Sequence, residues 1–218
     1  QEDIADDAPV ALVLRDKFNI PSSTEQVLNI FHSEPTIYDY VDAQGEVIYQ
    51  VQRFYPKSFR QRRPDNNGGW IYNVKGVPAL PYLLPALLRD QKSIIFIVEG
   101  EKCADELSRQ GLLATTNSGG AGNWKPILNH HFQGRDVVIV PDNDAAGRTH
   151  AKKVAQNLFG TANSLKILEL PGLPEKGDVF DWLANGSQPQ DLIRLADQAS
   201  IVEQPPIESV DESEDYYT

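Results

Sequence analysis

The stretches Ile94-Ile95-Phe96-Ile97-Val98-Glu99-Gly100-Glu101 and Val137-Val138-Ile139-Val140-Pro141-Asp142-Asn143-Asp144 decide how this chain folds. Each is a short apolar run that ends in acid. A run of β-branched and aromatic residues without polar alternation reads as a strand buried on both faces. Open α/β sheets hold their ligands outside the C-terminal ends of such strands. The acids emerge at that edge, so Glu99, Asp142 and Asp144 can share one crevice. Three carboxylates at close quarters repel one another unless protons or a cation neutralise them. Hard oxygen donors of this kind suit Mg²⁺ or Mn²⁺.

Around these two runs, strand and helix signals alternate. Strands are predicted at 94–98, 112–116, 136–141 and 164–169, with helices over about 101–110, 124–131 and 145–158 between them and a last helix over 189–198. Alternation at this spacing predicts a parallel sheet with helices on both faces. Upstream, residues 36–41, 46–55 and 70–74 read as strands. The turn sequences Asp42-Ala43-Gln44-Gly45 and Asp65-Asn66-Asn67-Gly68-Gly69 punctuate them, which predicts a small antiparallel meander. Four zones are expected: an irregular segment 1–35 with one helix near 24–31, a basic β-rich subdomain and linker 36–90, an α/β domain 91–200, and an acidic tail or linker 201–218.

The net charge of −11 argues at first against a nucleic-acid partner, but its distribution reverses that reading. Residues 1–7 hold four acids and residues 203–218 hold six, with no base in either. Residues 46–76 hold six bases against two acids, a local charge of +4. Arg53, Lys57, Arg60, Arg62, Arg63 and Lys75 alternate there with Phe54, Tyr55, Phe59, Trp70 and Tyr72. Cations that track phosphates beside rings that stack on bases suit single-stranded nucleic acid. A solvated hairpin with an aromatic core is the competing reading. No apolar run approaches the roughly 20 residues that span a bilayer, and no signal-peptide pattern opens the chain. The lone Cys103 excludes an intrachain disulfide and a Cys-based zinc site, and fits a reducing cytoplasm. With no Met anywhere, the chain reads as a fragment of a longer protein.

The two acidic strand ends stand 43 positions apart, as Val98-Glu99-Gly100 and Pro141-Asp142-Asn143-Asp144-Ala145-Ala146-Gly147-Arg148. In that form they resemble the TOPRIM domain shared by DnaG-type primases, topoisomerases and some nucleases. Asp-x-Asp-x-x-Gly-Arg looks most like the primase branch of phage and plasmid replication proteins. Lys176-Gly177-Asp178-Val179-Phe180-Asp181-Trp182-Leu183 is similar to a further primase segment, with Gly177 as an insertion. The resemblance covers about residues 92–198. It implies a Rossmann-like parallel sheet preceded by the antiparallel β-rich subdomain. It implies metal held by Glu99, Asp142, Asp144 and Asp178, with Asp181 as a further candidate and Glu99 either a ligand or a general base. Lys102, Arg148 and Lys176 would balance the acids, hold triphosphate or touch nucleic acid.

The activity so implied is Mg²⁺- or Mn²⁺-dependent synthesis of RNA primers from NTPs on a single-stranded DNA template, with a replicative helicase as a further partner and no membrane. A TOPRIM nuclease and a non-catalytic DNA-binding adaptor are the alternatives. Plainer roles compete residue by residue. Glu101, Asp144 and Asp181 can serve as helix caps. Ser118-Gly119-Gly120-Ala121-Gly122 can cradle a phosphate or simply turn the chain. His130 and His131 read as surface, and Trp124 and Trp182 as packing residues.

Overall fold

The structure, a computed structural model, describes residues 34–65 and 67–205. The helix expected near 24–31 and most of the acidic tail lie outside the described residues. The chain divides into two compact units. The described part of the first comprises residues 34–38 and Gln50–Val74; the second comprises Asp39–Tyr49 and residues 75–205.

Four strands, β1 (Thr36–Val41), β2 (Val47–Phe54), β3 (Ser58–Pro64) and β4 (Trp70–Ile71), lie side by side in chain order. β2 and β3 run antiparallel, as do β3 and β4. The third strand was not among the expected elements, because its Arg-rich sequence lacks an apolar face. Its register shows what holds it. Gln50 faces Arg62 and Gln52 faces Arg60, and the Arg62 Nε donates to Gln50 Oε1 at 2.7 Å. The last strand is two residues long rather than five, since the Asn73 N–H already turns back to the Ile71 carbonyl.

The second unit carries β5 (Ile95–Val98), β6 (Leu113–Thr115), β7 (Asp136–Val140) and β8 (Ser164–Ile167), a parallel sheet in the order β6-β5-β7-β8. Its helices are α1 (Leu84–Arg89), α2 (Glu101–Arg109), α3 (Ala145–Leu158), α4 (Val179–Ala184) and α5 (Pro189–Gln198). Pro85 and Pro189 sit in the first turns of α1 and α5, where a missing N–H costs nothing. Where an α-helix was expected near 124–131, Pro126–Phe132 forms a 3-10 helix.

Both faces of the sheet are dry. Ile95, Ile97, Val137, Ile139 and Leu165 pack with Val154 and Leu158 of α3 and with Leu128 and Phe132. The alternate residues Phe96, Val98, Val138 and Val140 are equally buried, at 2–3 % exposure. That burial explains the unbroken apolar runs. Each such side chain contributes about 1.5–3 kcal/mol on leaving water.

The strand order locates the site. From β5 the chain crosses to β6 on one side, then returns to place β7 on the other side. The direction of winding therefore reverses between β5 and β7. At such a switch point the two connections leave in opposite directions and open a crevice beyond the strand ends.

Candidate metal and phosphate site

Glu99 and Asp142 leave the sheet at this crevice. Val98 pairs with Val140, so Glu99 lies level with Pro141 and Asp142 is one residue further on. The Thr116 hydroxyl, at the end of β6, donates to the Glu99 carbonyl at 3.0 Å and holds that backbone. Gly147, in the first turn of α3, lies against both segments. A Cβ there would lie 2.6 Å from the Asp142 carbonyl oxygen and 3.1 Å from Glu99 Oε2. Only glycine allows α3 to press this closely on the Asp142 backbone and the Glu99 carboxylate.

Asp144 is the N-cap of α3, and its Oδ1 accepts from the Gly147 N–H at 2.7 Å. Asp178 caps α4 by accepting from the Asp181 N–H at 3.0 Å, and Asp181 returns the bond to the Asp178 N–H at 3.1 Å. The capping role considered for Asp144 and Asp181 is therefore real, and it fixes where these carboxylates point. The Cys103 thiol in the first turns of α2 registers the neighbouring charge. Burial raises it far above an ordinary thiol, and the Asp178 and Asp142 carboxylates push in the same direction.

Among the described residues, no three His, Cys, Asp or Glu side chains form a ready-made metal cluster. The donors nevertheless fit Mg²⁺ or Mn²⁺. A Mg²⁺ ion keeps several waters and needs one or two carboxylates plus substrate phosphates, not an all-protein cage. Glu99 and Asp142 would supply such carboxylates, and Asp144 and Asp178 cap the N-termini of α3 and α4.

The cations are placed differently from the simple expectation of charge balance. The Lys102 ammonium lies 3.3 Å above the centroid of the Phe180 ring, a cation–π contact that joins α2 to α4. The Arg148 Nη1 donates to Asn143 Oδ1 at 3.2 Å. Lys176 is exposed and takes a left-handed backbone, φ 63°, while its N–H donates to the Asn143 carbonyl at 3.0 Å. The Gly-rich turn has much of its polar capacity committed. Gly122 donates its N–H to His150 Nδ1 at 3.0 Å and accepts from Lys153 Nζ at 2.7 Å, and Asn117 and Asn123 brace the Gly120 and Gly119 carbonyls.

In the first unit, two expected nucleic-acid contacts lean on rings. The Arg62 guanidinium lies 4.1 Å from the Trp70 centroid and that of Arg60 lies 5.3 Å from Phe54. Tyr55, Phe59 and Tyr72 are about half exposed or more. Lys57 is exposed, and Arg53 and Arg63 are half-buried. Lys75 belongs to the second unit.

Sequence reasoning missed a buried cluster behind the site. The Tyr40 hydroxyl donates to Glu101 Oε1 at 2.9 Å, and both residues are buried. The Tyr40 ring stacks on Tyr49 at 4.5 Å. Burial first, and then the Glu101 carboxylate, push the Tyr40 phenol well above its ordinary value. The signal was the placement of Tyr38 and Tyr40 two apart on a strand, which puts both on one face.

His150 was also missed. Burial first, and then Lys153, lower its pKa from 6.5 to about 4. Between these values the unfolded chain takes up a proton that the folded chain refuses. Stability is therefore complete above pH 6.5 and is lost as pH falls through about 4. The expected loss is about 2–3 kcal/mol. His150→Gln should lack this component, and urea melts of both proteins at pH 7 and pH 4.5 would reveal a difference; parallel losses in the two proteins would refute it.

No family model matches this chain, and no curated protein matches it. Solved structures do. The zinc-binding and RNA polymerase domains of the Aquifex aeolicus primase superpose with a TM-score of 0.61 at 16% identity, over 89% of this chain and 50% of that one. A DnaG primase catalytic domain bound to single-stranded DNA gives a TM-score of 0.55 at 17% identity, covering 86% and 64%. The primase fragment of the bacteriophage T7 primase-helicase protein gives 0.52 at 19%, covering 73% and 60%. The chain spans half to just under two thirds of the length of these three structures. With its parallel sheet, its separate antiparallel sheet and its acids at the switch point, this chain has the TOPRIM-containing fold of DnaG-type primase catalytic cores.

Proposed function

We propose that the chain is the primase-like catalytic portion of a replication protein from a phage, plasmid or other mobile element. It joins ribonucleotides into short RNA primers on single-stranded DNA, with Mg²⁺ or Mn²⁺ at Glu99, Asp142, Asp144 and Asp178. The observation that carries this reading is that Glu99 and Asp142 follow the adjacent strands β5 and β7 at the switch point of the sheet. A divalent ion held there would stabilise charge on phosphate oxygens. The chain's own residues position that chemistry: Gly147 allows the close approach, and the caps at Asp144 and Asp178 fix two further carboxylates. Phosphoryl and nucleotidyl transfer ask little more of a protein than positioning and electrostatics.

Template binding falls to the first unit, where Arg53, Lys57, Arg60, Arg62 and Arg63 accompany exposed Tyr55 and Phe59. The single-stranded DNA complex of one neighbour supports a single-stranded DNA partner, and the primase-helicase name of another supports a helicase partner. Lys75 and Lys176, both in the second unit, are further candidates for nucleic-acid contact.

The test incubates the protein with NTPs, Mn²⁺ and labelled single-stranded DNA. New short RNA supports priming, shortened DNA indicates a nuclease, and binding without product indicates an adaptor. Replacing Arg60, Arg62 and Arg63 together by Ala should weaken DNA binding and reduce its salt slope by about two. Unchanged affinity, or affinity indifferent to salt, would remove the template assignment.

A further inference from the structure

The middle residue of Asp142-Asn143-Asp144 carries no charge, and the metal reading gives it no task. It is nonetheless bonded through both its backbone and its side chain. The Asn143 N–H donates to the Gly177 carbonyl at 2.9 Å, and its carbonyl accepts from the Lys176 N–H at 3.0 Å. Its side-chain Nδ2 donates to the Leu173 and Pro174 carbonyls, both at 2.9 Å. Its Oδ1 accepts from Arg148 Nη1 at 3.2 Å. Two carbonyls on one side and a guanidinium on the other leave the amide a single orientation. The side chain must donate twice and accept once, which Asn does at this length and Asp cannot.

The partner loop is shaped to receive it. Lys176 adopts the left-handed backbone that side chains rarely take. Gly177 has no room for a Cβ, which would lie 2.9 Å from Pro174 Cδ and 3.0 Å from the Pro174 carbonyl oxygen. This loop ends at Asp178, the N-cap of α4. Asn143 therefore ties the loop of Asp142 and Asp144 to the loop of Asp178, and Arg148 ties both to α3.

We infer that Asn143 is a positioning residue that sets the separation of these two acidic loops and so tunes their affinity for a divalent ion. The inference rests on the metal reading of the acids proposed above. Outer partners that orient metal ligands are typically worth 10–100-fold in affinity. Asn143→Ala should raise the Mn²⁺ Kd of the full 218-residue chain roughly 10–100-fold, measured by electron paramagnetic resonance of free Mn²⁺. The Mn²⁺ concentration for half-maximal primer synthesis should rise with it, while saturating Mn²⁺ restores most of the rate. A merely structural role would lower the rate at every Mn²⁺ concentration without moving the half-saturation point.

Gly177→Ala disturbs the other half of the clamp and should shift Mn²⁺ binding in the same direction, which keeps the test open if Asn143→Ala does not fold. Wild-type binding with neither variant shifted overturns this inference alone. A wild-type chain that binds no Mn²⁺ overturns the metal reading and the inference with it.

Discussion

Asp142→Ala is expected to lower Mn²⁺-dependent ribonucleotide incorporation on single-stranded DNA by on the order of a thousandfold. The size follows from the number of donors. A Mg²⁺ or Mn²⁺ ion at this edge relies on one or two carboxylates, and Glu99 and Asp142 are the pair that β5 and β7 bring to the switch point. Removing Asp142 takes away one of the two strand-end carboxylates and leaves Glu99 with only the two helix caps. Asp142→Asn, which keeps the shape and loses the charge, should lose nearly as much. The fold should be little affected, because Asp142 is only half-buried. A thermal melt separates the two effects. At an Mn²⁺ concentration about 100 times the Kd, the wild type should gain about 2.7 kcal/mol and the variant close to nothing. Activity above about a tenth of wild type in Asp142→Ala would show that the acid does not hold the ion.

The largest expected effect on stability lies at Arg135, on the opposite edge of the sheet from the site. This guanidinium is 6% exposed. It donates to the Leu87 carbonyl at 3.2 Å, the Asp90 carbonyl at 2.7 Å and the Ser93 carbonyl at 3.2 Å. These are the end of α1 and the turn that leads into β5, so one side chain satisfies the backbone where the first strand of the parallel sheet begins. Arg135→Ala removes a donor from all three carbonyls, of which Leu87 keeps Gln91 Nε2 at 3.1 Å, and opens a cavity, at a cost of about 3–5 kcal/mol. In a chain of this size that corresponds to roughly 6–15 °C in Tm. Arg135→Lys should recover less than half, because one ammonium cannot span three carbonyls as a planar fork does. Urea denaturation of the three proteins checks the order, and an Ala variant within about 1 kcal/mol of wild type would sink the assignment.

The two acidic strand ends were legible because they depend on local pattern. Four or five consecutive β-branched or aromatic residues have one common explanation, a strand covered on both faces, and Ile95–Val98 and Asp136–Val140 are such strands. The helix over Ala145–Leu158 lies where the sequence predicts it, because Asp144 supplies a capping oxygen at its start. By contrast, Ser58–Pro64 was hidden. Its pairing rests on Gln50, Gln52, Arg60 and Arg62 across two strands, and no single-strand alternation announces that.

The same division runs through the candidate site. Composition and pattern alone determined a parallel α/β sheet, two acid-tipped strands and a basic segment masked by acidic ends. The sequence could also name carboxylates, because a carboxylate's chemistry is local to its own residue. Only the tertiary structure decided that Lys102 rests on Phe180 and that Asn143 joins loops 30 positions apart. Each of these is a relation between two segments whose separation along the chain says nothing of their distance in space. A hydrogen bond reaches about 3 Å, so it exists only after packing of the core has brought the two segments together.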